Sequence, residues 1–179
     1  MVAKSLIKLT DEAIIPTLAL IVAKMVGLYL TSLTFNLPFE VKTQGFLNIL
    51  PAISFNNIAD YTIAENYSNL AMLIVAALGT LFVLVRAHFF HASHIHPKLH
   101  ARLVRLNLES LIAPSYHLYH QAAIWLIFLW LTVGFLILSS ILGTAYVQIA
   151  IIAFVVAANF SWIFALDIEK EVEISRESV

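Results

Sequence analysis

Long apolar runs alternate with short polar stretches along this chain, and the runs have the length of membrane-spanning helices. A helix needs about 20 apolar residues to cross the hydrocarbon core of a bilayer. Three runs meet this requirement with uncharged centres, and a fourth has the length but carries a lysine near its middle. The pattern predicts an all-α integral membrane protein, a four-helix transmembrane bundle forming a single membrane domain. The predicted spans are residues 13–35, 69–90, 118–142 and 145–166.

The composition also favours a membrane protein. Apolar residues make up 61% of the 179 residues and charged residues 12%, which is about half the charged share of an ordinary soluble domain. A soluble domain of this size still exposes roughly a third of the surface of its unfolded chain, so it could not cover so many apolar side chains. The net charge of −1 argues against bulk nucleic-acid binding. The absence of cysteine excludes disulfides and thiolate metal sites.

The basic residues predict the orientation of the bundle. With Lys24 set aside, eight lysines and arginines fall on one side of the four spans and only Lys42 falls on the other. Cytoplasmic loops carry such an excess of positive charge. We therefore expect both termini and the loop between the second and third spans to be cytoplasmic, in a bacterial-type inner or plasma membrane. The eight are Lys4, Lys8, Arg86, Lys98, Arg102, Arg105, Lys170 and Arg176.

Residues 36–67 form the predicted outer segment. It contains an apolar run from Phe46 to Phe55 that Pro51 interrupts. This run is too short to cross a membrane. We expect a re-entrant or interfacial element, or a cap over the bundle.

Residues 91–117 form the predicted cytoplasmic loop, which is rich in histidine. Pro97 is suited to the first turn of a helix because the amide hydrogen that it lacks is not needed there. From Pro97 on, leucines form one stripe and basic residues, among them Arg102 and Arg105, form another. This pattern predicts an amphipathic helix on the membrane surface, with its basic side chains among anionic lipid headgroups. A docking surface for a cytoplasmic partner is the alternative.

All seven histidines lie between His88 and His120. His88 and His91 close the second span, and His117 and His120 open the third. Residues three apart share a helix face, so the two pairs are expected at one depth on adjacent helices. A haem would take one axial ligand from each pair. A zinc, copper or iron ion would take three or four imidazoles from the set His88, His91, His94, His117 and His120.

Two other interpretations of the histidines remain open. Glu109 is the only acidic residue between Arg86 and His120, so few carboxylates are expected to orient a metal ligand. This favours histidines at the headgroup boundary that bond to water or phosphate. A pH-sensing role is the third interpretation, since protonated imidazoles would add positive charge to a basic loop.

Three polar residues inside the predicted spans need partners. A lysine at the centre of a span costs roughly 2.5–3.5 kcal/mol to insert. Because no acidic residue lies within the predicted spans, Lys24 is expected to line an aqueous lumen in an oligomer, bind an anion or lipid phosphate, or extend to an interface. Gln148 and Asn159 are eleven residues apart and share one face of the last span. Such amides usually join helices to each other.

The string from Arg86 to His91 is similar to the Arg-x4-His signature of HEPN ribonucleases. The resemblance covers six residues with two fixed positions, and it implies RNA cleavage by Arg86 and His91. Nothing else in the chain supports that assignment.

We expect a multi-pass membrane protein without catalytic activity. The chain shows no nucleophile–base arrangement, glycine-rich phosphate loop or paired carboxylate that a reaction could use. The first hypothesis is an oligomer-forming protein with a basic cytoplasmic face, either pore-like or channel-like, or a subunit of a membrane complex. The alternative is a membrane subunit that binds haem or a transition metal through the clustered histidines.

Overall fold

The computed structural model describes residues 2–42, 52–91 and 95–177, which form helices joined by turns and one short β-hairpin. Four of the helices are long and apolar enough to cross a membrane, as the sequence pattern predicts. The elements are α1 (Val2–Thr34), β1 (Phe39–Lys42), β2 (Ala52–Phe55), α2 (Ile58–Phe89), α3 (Pro97–Arg105), a 3-10 turn (Glu109–Leu111), α4 (Ser115–Ile141) and α5 (Val147–Glu177).

The start of α2 differs from the prediction. The helix begins at Ile58 and not at residue 69, so residues 58–67 of the predicted outer segment 36–67 are helical. Asn57 caps this end, since its side-chain oxygen accepts a hydrogen bond from the Ala59 amide at 2.9 Å. The first turns of α2 contain Asp60 and Glu65. Hydropathy therefore places the boundary too late, because it measures apolar content and not backbone conformation.

The β-hairpin lies between α1 and α2. Its strands are antiparallel and pair Phe39 with Phe55. The Phe39 ring lies 6.1 Å from Tyr29 of α1, and the Phe55 ring lies 6.4 Å from Tyr61 of α2. These ring contacts hold the hairpin on the ends of both helices. The rest of the predicted outer apolar run, residues 46–51, lies outside the described residues, as do residues 43–45 before it.

The other long helices also extend past the predicted spans. α1 begins at Val2, and α5 continues to Glu177 beyond the predicted end at residue 166. The extra turns of α5 are charged, so they lengthen the helix without lengthening its apolar part. α4 and α5 form the expected helical hairpin, in which Gly143 adopts a φ of +73° that favours glycine.

α2 is the central helix, in contact with α1, α4 and α5. Its glycine at position 79 allows a close approach to α4, since a Cβ there would lie 2.0 Å from the Trp125 ring. The main core consists of leucine, valine and alanine side chains from all four long helices. Its buried members are Leu20, Leu73, Ala76, Leu129, Val133, Leu136, Ala150, Ala153 and Ala157.

The outward surfaces of the long helices are apolar. Between 17% and 33% of the most apolar window of each helix is buried, so most of these residues face out of the molecule. Ile15, Phe135 and Ile151 are each more than half exposed. The four helices are thus compatible with an integral membrane protein.

The helices alternate in direction, which defines two ends of the bundle. The histidine end contains Glu12, His88, His120 and Asp167. The hairpin end contains β1, β2 and the turn between α4 and α5, which Asn66 contacts. The beginning of α1 and the charged end of α5 therefore lie on the same side.

α3 is an amphipathic helix that begins at Pro97, as predicted, and ends at Arg105. His96 caps it by accepting a hydrogen bond from the Lys98 amide at 3.2 Å. Leu103 is buried, whereas Arg102 and Arg105 are exposed. The helix thus presents its basic residues outward at the histidine end.

Candidate functional site

His88 joins α2 to α5 at the histidine end. Its Nδ1 lies 2.6 Å from Oδ1 of Asp167. The Tyr119 hydroxyl of α4 donates to Oδ2 of the same carboxylate at 3.2 Å. Asp167 therefore connects three helices through one side chain.

His91 lies two residues beyond the end of α2 and is buried. Its Nδ1 is 4.0 Å from Oε1 of Glu171, and its ring lies 5.4 Å from the ring of Tyr119. A polar cavity of about 160 Å³ separates these groups. The cavity is lined by His88, His91, Tyr119, Asp167, Lys170, Glu171 and Ile174.

His120 contacts a different helix. Its Nδ1 lies 2.5 Å from Oε2 of Glu12, so it joins α4 to α1. The Tyr116 ring stacks on it at 6.0 Å, and the same tyrosine lies 5.8 Å from the ring of His117. His117 and His120 therefore both contact Tyr116, and His120 also contacts Glu12 of α1. His88 and His91 instead contact carboxylates of α5.

The structure does not assemble the predicted ligand set into one cluster. Within residues 2–42, 52–91 and 95–177, no three histidine or carboxylate side chains form a group that could hold a metal ion. His94 lies outside the described residues. Haem or metal binding by His88, His91, His117 and His120 stays a prediction.

The expected shortage of carboxylates at the histidines is wrong. Glu12, Asp167 and Glu171 all lie beside a histidine, and they come from the two ends of the chain. The sequence carries a signal for them, since Glu12 precedes the first apolar run and Asp167 follows the last. A count restricted to the central loop could not reveal this.

Arg86 fixes the loop that follows α3. Its guanidinium donates to the carbonyl oxygens of Leu111 at 2.7 Å and Ser110 at 3.2 Å, and to the side-chain oxygen of Gln121 at 3.1 Å. All three acceptors lie in the 3-10 turn or in α4. The arginine of the Arg-x4-His string thus has a structural role in this fold.

Lys24 is paired inside the bundle, which corrects the prediction that it has no acidic partner in the same chain. Its Nζ lies 2.7 Å from Oε1 of Glu65 and also donates to the side-chain oxygen of Asn69. The lysine side chain is 25% exposed and the glutamate side chain 14%. The prediction failed because Glu65 belongs to α2, whereas hydropathy assigns it to the outer segment.

Asn66 is a structural residue that sequence reasoning missed. It is buried in α2, and its side-chain oxygen accepts a hydrogen bond from the Tyr146 amide at 2.6 Å. Its amide nitrogen donates to the Thr62 carbonyl at 2.6 Å. This contact holds the turn between α4 and α5 against α2.

Gln148 and Asn159 are both exposed on α5. The Asn159 amide nitrogen donates to the Val155 carbonyl of its own helix at 2.7 Å. Across the described ranges, neither side chain forms a hydrogen bond with another helix. The helix-joining role predicted for them is thus not used inside one copy of the chain.

No known protein family, curated protein or solved structure matches this chain. Its function must therefore be inferred from the geometry of its own residues.

Proposed function

We propose that this chain is a four-span integral membrane protein of a bacterial-type inner or plasma membrane, with the histidine end and both termini in the cytoplasm. The apolar outward surfaces of the four long helices support insertion into a bilayer. The basic residues gather at the histidine end, which supports the orientation. The exposed Arg102 and Arg105 would lie among anionic headgroups beside the apolar belt.

We further propose that the protein is a non-enzymatic subunit that associates through α5, first of all with copies of itself. The observation that carries this proposal is the exposed amide of Asn159. Its neighbours Val155 and Trp162 on the outward surface are apolar and exposed. A polar side chain at that depth usually faces protein and not lipid.

A second copy of the chain suits this face. An asparagine side chain both donates and accepts, so the Asn159 residues of two copies can pair across a two-fold axis. Gln148 lies three turns away on the same face and would extend the contact. Ala150, Ala153 and Ala157 lie in the core of the same copy, so the outward contact would consist of larger side chains around the two amides.

The pairing of Lys24 favours assembly over a lysine-lined pore. A lysine that lined a lumen would have its charge balanced by water or by another copy. Here Glu65 and Asn69 already bind the ammonium group within one chain. The proposed role is therefore that of a complex-forming subunit.

The test is the molecular mass of the protein in detergent, measured by light scattering, together with cross-linking in membranes. The wild-type chain is expected to be a homo-oligomer. Asn159→Leu removes the amide at nearly constant volume and should shift the protein towards the monomer. The matched control is Leu131→Val, on the exposed surface of α4, which should leave the mass unchanged. A monomeric wild type, or an Asn159→Leu variant with the wild-type mass, would contradict the proposal.

A further inference from the structure

A groove runs along the outside of the bundle between α1 and α4, with Met72 of α2 contributing to its lining. We call it the lateral groove. Its volume is about 290 Å³, and its lining is almost entirely apolar. The main apolar lining residues are Leu20, Ile21, Met25, Phe128, Leu131 and Phe135.

The two hydroxyl groups in the lateral groove are already satisfied. Thr17 donates to the carbonyl of Ala13 at 2.8 Å, and Thr132 donates to the carbonyl of Phe128 at 2.9 Å. Each bond stays within its own helix. An occupant of the groove would therefore meet aliphatic and aromatic surface, which suits a hydrocarbon chain.

The groove follows the helix axes. On α1 its lining extends from Thr17 to Met25, and the seven-residue step from Thr17 to Lys24 corresponds to roughly 10 Å of helix. On α4 it extends from Phe128 towards Phe135, in the same direction through the bundle. An acyl chain in the groove would lie along the helix axes, as lipid chains do in a bilayer. Its headgroup end would point towards the hairpin end of the bundle.

Lys24 supplies a polar group in the part of the lateral groove that lies nearer the hairpin end. Its ammonium group has three hydrogen-bond donors. Glu65 and Asn69 accept two of them. The third has no acceptor among the residues that the structure describes, and the side chain is a quarter exposed.

The depth of this ion pair suits the polar part of a lipid. Glu65 lies two residues from Tyr67, an exposed aromatic residue whose ring packs 5.0 Å from Phe35. Tyrosine and tryptophan are enriched at the level of lipid headgroups. The lysine side chain thus reaches towards the level at which ester and phosphate oxygens occur.

We infer that the lateral groove binds one phospholipid from the leaflet at the hairpin end. One acyl chain lies along α1 and α4, and an ester or phosphate oxygen accepts the third hydrogen bond of Lys24. This inference rests on the proposed membrane location. Because Lys24 and Glu65 together carry no net charge, the site selects a chain with an oxygen acceptor and does not select an anionic headgroup.

The test uses the full chain, reconstituted in vesicles of phosphatidylcholine, re-extracted in mild detergent and examined by native mass spectrometry. The wild type should retain one phosphatidylcholine molecule. Ile21→Trp fills the groove and should lower the occupancy about tenfold. The matched control is Val22→Trp, since Val22 is the next residue of α1, is exposed and does not line the groove. It should retain the lipid as the wild type does.

Equal retention by the two tryptophan variants would overturn the inference, and so would a wild type that retains no phospholipid. A bound fatty acid in place of phosphatidylcholine would also overturn it. An alkaline wash of the membranes separates this failure from that of the proposed function. If the protein stays in the washed membrane but retains no lipid, the result contradicts only the proposed lipid site. A protein released by the wash contradicts the membrane location itself.

Discussion

α2 and α5 use their polar residues in opposite ways. In α2, Glu65, Asn66 and Asn69 all contact other elements of the same chain. In α5, Gln148 and Asn159 face outward, and the contacts to other helices come from Ser161, which accepts a hydrogen bond from Trp130 of α4, and from charged residues near its end such as Asp167. About a third of the most apolar window of α2 is buried, against 17% for α5.

This difference separates residues that hold the fold from residues that are available for association. In α2, the Glu65 carboxylate and the side-chain oxygens of Asn66 and Asn69 have partners within the chain. Removing one of these acceptors leaves its donor without that partner in a buried or partly buried site. The exposed amide of Asn159 contacts only a carbonyl of its own helix, so its removal breaks no contact between helices of the chain. Substitutions in α2 should therefore change the stability of the monomer, whereas substitutions on the outward face of α5 should change the assembly.

The largest expected effect is that of Glu65→Leu. It leaves the ammonium group of Lys24 in a largely apolar setting, with Asn69 as its remaining partner among the described residues. Removal of one member of a buried ion pair typically costs about 3 kcal/mol or more. We expect a loss of this size in the free energy of unfolding, measured by denaturant titration in detergent micelles.

The double variant Lys24→Met with Glu65→Leu tests the cause. Replacing both members of a buried pair by apolar residues is often nearly neutral. The double variant should therefore recover most of the lost stability. If it is as unstable as the single variant, the packing of Glu65 and not its charge is what α2 requires.

A smaller effect is expected for Gly79→Ala, which tests the close approach of α2 to α4. The new methyl group would lie 2.0 Å from the Trp125 ring, so the ring or the helix must move. Overpacking of this kind costs roughly 1–3 kcal/mol. Denaturant titration of the variant should show a loss within this range.

Gly134→Ala is the matched control, because a Cβ at that position meets nothing within 4 Å. Alanine is favoured over glycine inside a helix by about 1 kcal/mol. This variant should be neutral or more stable than the wild type. A similar loss in both variants would show that α2 and α4 are not packed as closely as described.

Hydropathy was sufficient to predict the four long helices and the turn at Gly143. Local chemistry was sufficient for α3, since Pro97 marks its start and the basic residues mark its exposed side. These features depend on neighbours in the sequence. The β-hairpin was not predicted, because each of its strands is only four residues long and the alternation of Phe39, Glu40, Val41 and Lys42 is too short to stand out.

The partners of the charged residues were beyond the reach of a single sequence. His120 and Glu12 are 108 positions apart, and His88 and Asp167 are 79 apart. Such pairs form only after four helices have packed in one arrangement. Lys24 is a different case, since its partner would have been considered if α2 had been extended through its polar first turns.

The smallest expected effect is that of Asp167→Ala. Asp167 is the residue through which the end of α5 contacts α2 and α4. The substitution removes the carboxylate acceptor of the Tyr119 hydroxyl and the partner of His88. The hydroxyl keeps the Asp167 backbone carbonyl as an acceptor at 3.3 Å, and the His88 side chain is 47% exposed, so water replaces much of its contact. We expect a loss of about 1 kcal/mol in the free energy of unfolding. In a double-mutant cycle with Tyr119→Phe, the two losses should not add fully, because both variants remove the hydrogen bond between the Tyr119 hydroxyl and the Asp167 carboxylate. Glu169→Gln, on an exposed part of the same turn, should have no effect. A loss as large as that of Glu65→Leu would mean that the end of α5 is as deeply integrated into the fold as α2, and the contrast between the two helices would then be limited to the outward face around Asn159.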